Sequence, residues 1–308
     1  MIRKKGAKVF FILGLLFLFA CTPATQSSSI EGAYAGCYGD DPQMVTATFA
    51  AFAPVSSETA PYHPGEEIDI QVDLVNQNTQ DIDDGNAKIK LTGDAAVSSI
   101  FSGAEVKSTS TTLYAIDPET CLTDTSEVEI GPLKYQGEIT TQISKEITGL
   151  YCYEAPVVVK AFLYFTDDSA NIGDNLPSGS NPPSSVQVTK IEQNPVDVDR
   201  ESNTAQLRLK LYLENVGTGT IVENLDSCFE YRDASYQEEF SLSVDGAYTI
   251  ECPDTVKLSR AEKLDVVTCK VTGIDVSNLG SQPSEMTITL SNFAYEDTIP
   301  STTIWLEP

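Results

Sequence analysis

Residues 66–76, Glu-Glu-Ile-Asp-Ile-Gln-Val-Asp-Leu-Val-Asn, admit one regular structure. Ile68, Ile70, Val72 and Leu74 alternate with Asp69, Gln71 and Asp73, a period of two that puts the apolar set on one face of a strand and the polar set on the other. Pro64-Gly65 supplies the turn before it. Residues 206–215 repeat the pattern, with Leu207, Leu209, Leu211 and Leu213 on one face, and end in Leu-Glu-Asn where the first run ends in Leu-Val-Asn. A β run closing on a proline precedes each, at 45–54 and 186–195. The two halves therefore read as an internal duplication of about 140 residues.

Shorter runs of the same kind fill both halves. In the first they lie at 87–91, 113–116, 128–130 and 139–147, and the almost continuously apolar run 157–165 reads as a strand buried on both faces. Residues 139–147 come nearest to a helix, but their Thr and Ile content favours strand. In the second half the runs are 240–244, 248–252, 264–271, 286–290 and 302–306, punctuated by Asp245-Gly246, Pro253 and Gly280. Residues 167–185, dense in Gly, Pro, Ser and Asn, form the strongest break, and a domain boundary is expected there. The expected fold class is all-β, with two tandem antiparallel β-sandwich domains.

The chain opens on a basic stretch, Arg3, Lys4, Lys5 and Lys8, followed by an apolar run at 9–20 and then Cys21. That run would rise only about 18 Å as a helix, against a hydrocarbon core of about 30 Å, so it reads as an export signal rather than a span. Leu18-Phe19-Ala20-Cys21 resembles the lipobox of prokaryotic lipoprotein signal peptides. The resemblance implies that Cys21 is lipidated, becomes the first mature residue and holds the protein on the extracellular face of the envelope. Residues 22–36 are small and polar, as a tether would be. The expected layout is a signal peptide at 1–20, a tether at 21–36, a first module at 37–166, a linker at 167–184 and a second module at 185–308. This layout would put the first module near the membrane and the second outward.

The opening of each module, a proline-terminated strand followed by I-x-I-x-V-x-L-x-N or its leucine version, resembles the Ig-like adhesion modules of prokaryotic surface proteins. Their second strand often runs into Asn-x-Gly; Asn215-Val216-Gly217 matches, and Asn76-Gln77-Asn78 replaces the Gly by Asn. Antibody-type domains match poorly, because neither second strand carries a cysteine and the sole tryptophan, Trp305, lies near the C-terminus.

The formal charge is −26. Taking away the four basic side chains of residues 1–20 leaves −26 − 4 = −30. Such a surface repels nucleic acid and anionic headgroups. Besides Cys21, the six cysteines Cys37, Cys121, Cys152, Cys228, Cys252 and Cys269 form an even set, which in an exported protein reads as disulfides. Sequence proximity favours Cys121–Cys152 and Cys252–Cys269, which would leave Cys37 to join Cys228 across the halves. Fifteen pairings are open, and sequence does not choose among them. Zinc is disfavoured by a single histidine and the absence of any CxxC, and no Asn-X-Ser/Thr sequon is present.

Catalytic sets are scarce. Any Ser-His-Asp or Cys-His arrangement would need His63, which lies in the turn Tyr62-His63-Pro64-Gly65. Paired carboxylates remain, as a carboxylate-based glycoside hydrolase would use. Two acidic loops have oxygen ligands suited to Ca²⁺: Asp81, Asp83 and Asp84 before Gly85-Asn86, and Asp167, Asp168, Asn171 and Asp174. The second is the better candidate, and no other cofactor is expected. The leading expectation is a non-catalytic, lipid-anchored surface protein acting as scaffold, spacer or adhesion module toward a protein or glycan partner. The alternatives are a filament subunit that donates its terminal strand, residues 302–306, and the glycoside hydrolase.

Overall fold

The computed structural model describes residues 37, 43–54, 56–117, 119–177, 179–232, 237–259, 263–280 and 282–308, all within one compact unit, Glu31–Pro308. The alternating runs form eighteen strands among these residues. The first half contributes β1 (Val45–Phe49), β2 (Glu67–Asn76), β3 (Ala87–Gly93), β4 (Phe101–Ser102), β5 (Lys107–Ser108), β6 (Asp124–Tyr135), β7 (Ile143–Glu154) and β8 (Val157–Leu163). The second contributes β9 (Val186–Gln193), β10 (Asp197–Asp199), β11 (Thr204–Asn215), β12 (Thr220–Val222), β13 (Gln237–Gly246), β14 (Thr249–Glu251), β15 (Thr255–Ser259), β16 (Leu264–Asp275), β17 (Ser284–Ser291) and β18 (Ala294–Leu306). All strand pairings between them are antiparallel, and the fold is all-β and sandwich-like.

The two strongest alternations become β2 and β11, each burying every second side chain. Two short readings fail. Residues 113–116 form no strand; Leu113 only bridges Ile82, and the segment gets its burial as a packed loop. Residues 139–142 precede β7 rather than belonging to it.

The two halves have matching strand orders. One sheet runs β1-β2-β6-β4, and another runs β10-β11-β16-β14 with β9 also on β11. Matching β1 to β9, β2 to β11, β6 to β16 and β4 to β14 superposes one order on the other. The remaining sheets run β12-β18-β7-β3-β5 and β15-β13-β17-β8. They match in the same way, through β3 with β13, β5 with β15 and β7 with β17, but the final strands are traded. β7 pairs with β18 and not with β8, while β8 pairs with β17. Each half thus completes a sheet of the other.

The β7–β8 connection disfavours a tight hairpin. Only Ala155-Pro156 separates β7 from β8. A two-residue hairpin needs positive φ at its first central residue; Ala155 does not have it, and Pro156 is confined near −65°. The chain therefore leaves β7 without folding back on it. In its new place β8 buries Val157, Val159 and Leu163, on the order of 6 kcal/mol at about 2 kcal/mol each. Trp305 sits on β18 opposite Ser144 of β7.

The segment expected as a linker is packed against the exposed edge of β8. The Phe162 amide donates to Asn175 O (2.9 Å) and the Lys160 amide to Ser180 O (3.3 Å), while the buried Asn175 Nδ2 donates to Phe162 O and to Gln193 Oε1. Covering this edge removes a ready template for aggregation. The far end of β18 is held likewise: the Tyr62 amide donates to Trp305 O (2.8 Å) and the Glu307 amide to Tyr62 O (3.0 Å).

Asn76 and Asn215, the matched ends of β2 and β11, make the same turn. Each side-chain oxygen accepts an amide two residues on, from Asn78 and Gly217, and each Nδ2 donates to a carbonyl four residues on, of Gln80 and Gly219. Both are fully buried, and an Asx turn of this kind satisfies the polar backbone that the ending strand leaves unpaired. Gly219 has no space for a side chain, since a Cβ there would lie 2.2 Å from Glu296 O.

Three disulfides close the fold. Cys252–Cys269 agrees with the expectation from proximity. Cys121 pairs with Cys37 rather than with Cys152, and Cys228 pairs with Cys152 on β7 rather than with Cys37. The exchange is the physical reason: by pairing with β18, β7 lies one strand from β12, and Cys228 follows β12 by only a few residues. Proximity in sequence is overridden by a neighbour that only the tertiary pairing creates.

Candidate interaction faces

The alternation that buries one side of β2 and β11 turns the other side outward, and the two outward sides differ in charge. On β2 and β6 the outward residues include Glu67, Asp69, Asp73, Glu127 and Glu129, with Lys134 neutralising Glu67 at 2.9 Å. Asp73 stands directly opposite Glu127. On the matched sheet Lys190 of β9, Arg208 and Lys210 of β11, and Lys270 of β16 are exposed, and Arg208 stands directly opposite Lys270. Like charges facing each other across a ladder destabilise it, but on the second face Lys270 also stands directly opposite Glu251 of β14 and Lys210 opposite Glu192 of β9.

Acids are interspersed with the bases on this face, with Glu251 opposite Lys270, Glu192 opposite Lys210 and Asp197 opposite Gln206. Lys190 Nζ donates to Glu192 at 2.5 Å and lies 5.2 Å above the Tyr212 ring, and Tyr212 Oη donates to Glu192 at 2.9 Å. These hydrogen bonds hold the Glu192 carboxyl below its ordinary range and raise the Lys190 ammonium and the Tyr212 phenol. Arg208 and Lys270 form no ion pair among the described residues. Beside them on β16, Leu264 and Val266 are 45% and 43% exposed.

A shallow cleft occupies the corresponding place on each face, against the proline-terminated turn after the first strand. The first, of about 310 Å³, is lined by Ala53, Asp69, Gln71, Glu129 and Pro132, with Phe52 at its rim, 85% exposed. The second, of about 220 Å³, is lined by Asn194, Pro195, Asp197, Gln206, Arg208 and Lys270. The first cleft carries the carboxylates of Asp69 and Glu129, and the second sets Asp197 beside Arg208 and Lys270.

Other residues singled out from sequence are placed as follows. Cys21 lies outside the described residues. The Asp168 carboxylate accepts the Ala170 amide and that of Asp174 accepts the Leu176 amide, so both serve local turns, and Asn171 lies in the single 3-10 turn Ser169–Asn171 between them. Asp81 accepts the Ala115 amide at 2.6 Å, pinning the loop misread as a strand. Among the described residues no group of three His, Cys, Asp or Glu side chains converges as a metal site would. The exposed His63 ring nitrogens meet the last two residues, Nδ1 3.2 Å from Pro308 O and Nε2 3.8 Å from Glu307. The bases of this mixed face were missed, though their signal was present: in the second-half run the residues between the leucines are Arg208, Lys210 and Tyr212, where the first half has Asp69, Gln71 and Asp73.

Neither a scan against protein-family models nor a search of curated proteins finds a match to this chain.

Proposed function

We propose that the protein is a non-catalytic structural component of the cell envelope, held by a lipid on Cys21, whose interlocked body displays interaction faces away from the membrane. The observation that carries this reading is the reciprocal exchange of β8 and β18. It ties both halves into one body, Cys152–Cys228 fastens the same junction, and disulfides of this kind belong to oxidising compartments outside the cytosol. The halves are built as Ig-like adhesion modules, consistent with the buried asparagine that closes each second strand. The leader supplies the address: a basic start, an apolar run too short to span a bilayer, and a small residue before Cys21. A ligand protein or glycan would meet the exposed sheet faces, which carry charge, apolar contacts and a cleft.

Metabolic labelling with a clickable palmitate tests the anchor. The full chain is expected to take up label and partition with membranes, and C21S to lose the label and appear in the medium. A wild-type chain that is secreted unlabelled would end the proposal.

A further inference from the structure

We infer that the lipid anchor holds the body at the junction between its halves, so that both halves are displayed at one level above the membrane and neither is a stalk for the other. The inference rests on the lipid-anchored reading and decides, within it, between a display and a spacer.

Like ends of the two halves meet at the junction. β2 ends there at Asn76 and β11 at Asn215, whose side chain accepts the Tyr295 hydroxyl of β18. From the same end β7 passes to β8 through Ala155-Pro156, and β17 passes to β18 through Asn292-Phe293. Away from the junction β2 and β11 extend for 10 and 12 residues, about 33 and 40 Å at about 3.3 Å per residue. Each half therefore has a far tip. In the first it includes the β6–β7 connection, next to the pair Glu67 and Lys134, and in the second the turn between β10 and β11.

The chain that carries Cys21 enters the body at the junction and not at the first tip. Cys37 is bonded to Cys121, which lies just before β6 begins with Asp124 opposite Asn76. The loop that holds Cys121 is fastened at this end: the Ile116 amide donates to Asn78 O at 2.8 Å, and Asn78 Nδ2 donates to the O of Pro183, just before β9. β1 opens at the same end, with Val45 opposite Asn76. Disulfide and first strand thus agree on the point of entry. The order implied by sequence, first half below and second half above, would need entry at the tip about 33 Å away. Entry at the junction leaves the outward faces of β2 and β11, with their clefts, equally open to a ligand.

The test is neutron reflectometry of the full lipidated chain on a supported phosphatidylcholine bilayer, combined with energy transfer from single donor dyes to acceptors in the headgroups. The donor is coupled through an azide-bearing residue replacing Asp84 near the junction, Glu138 at the first tip or Glu201 at the second, all of them exposed. Circular dichroism verifies that each labelled chain folds, and reflectometry of the unlabelled wild type depends on no substitution. Transfer is expected to be strongest from Asp84 and weaker, to the same degree, from Glu138 and Glu201. The protein layer is expected to be no thicker than about 40 Å, the length of one half. Transfer graded from Glu138 through Asp84 to Glu201, or a layer of about 70 Å, the sum of both halves, overturns the inference and makes the protein a spacer. Palmitate labelling together with that graded order keeps the anchor and removes its placement, whereas a chain absent from the membrane removes both.

Discussion

The hydroxyl of Tyr295 lies 3.3 Å from Oδ1 of Asn215, to which it donates, and accepts the Gly219 amide at 2.7 Å. Tyr295 opens the strand that the second half lends to the first, and Asn215 ends the central strand of the second half. One hydroxyl therefore joins the exchanged strand to the duplicated turn. Tyr153 on β7 packs against the Tyr295 ring with centroids 5.9 Å apart, closing the junction with aromatic surface.

Alkaline pH should loosen this junction. Burial raises the phenol pKa of both Tyr153 and Tyr295 above the ordinary 10.0. A group whose pKa is raised by folding contributes stability that is intact below its unfolded pKa and is lost as pH rises above it. Urea midpoints are expected to be flat up to about pH 9.5 and then fall, with a slope of about 1.4 kcal/mol per pH unit for each such tyrosine. Y295F is expected to be less stable at pH 8, because the buried Gly219 amide loses its acceptor at about 1–3 kcal/mol, and to show a shallower decline above pH 10. An unchanged slope in Y295F would remove Tyr295 from the titration.

Asn215→Asp should be worse than an ordinary isosteric change. The carboxylate keeps an acceptor for the Gly217 amide but cannot donate to Gly219 O, and it places a charge at a site that is 1% exposed. A loss of about 3 kcal/mol or more is expected. N76D should behave alike, since Asn76 makes the same two bonds. Thermal unfolding of both variants checks the equivalence, and a tolerated N76D beside a disruptive N215D would break it.

The two longer-studied variables of a cross-link, loop size and local support, separate Cys152–Cys228 from Cys252–Cys269. Their sequence separations are 76 and 17. Chain-entropy arguments put removal at about 4.5 and about 3 kcal/mol. C152A/C228A is therefore expected to lower the denaturation midpoint more than C252A/C269A, and the reverse order would show that the cross-half bond is redundant with the strand exchange.

The strands were legible in the sequence because alternation is a local signal: Ile68 to Leu74 and Leu207 to Leu213 declare their faces without reference to any partner. The correspondence of β2 with β11 was legible through the matched Leu-x-Asn endings. Partner choice was not. β8 is apolar along one face, and nothing local in Val157–Leu163 says that it meets Met286–Leu290 instead of β7. Residues 167–185 carry turn-forming residues that announce a break, but the packing of Asn175 and Ser180 on β8 is tertiary. The candidate faces were half legible. The acids of β2 were read as the solvent side of a strand, while the bases of β11 gain meaning only when Lys270 is placed opposite Arg208.

Because each half completes the other, neither should fold alone. A fragment covering residues 31–166 has β8 but no β18 to pair with β7, and Ala155-Pro156 prevents β8 from folding back as a hairpin. A fragment covering 167–308 has β18 but no β8 to cover the edge of β17. Expressed separately in an oxidising compartment, both are expected to be protease-sensitive. Expressed together, they should form one resistant complex, in which Cys152 of one fragment and Cys228 of the other are bonded and migrate as a single band without reductant. A monomeric, protease-resistant 31–166 fragment would show that β7 and β8 can pair with each other after all. The exchange would then be one of two accessible arrangements.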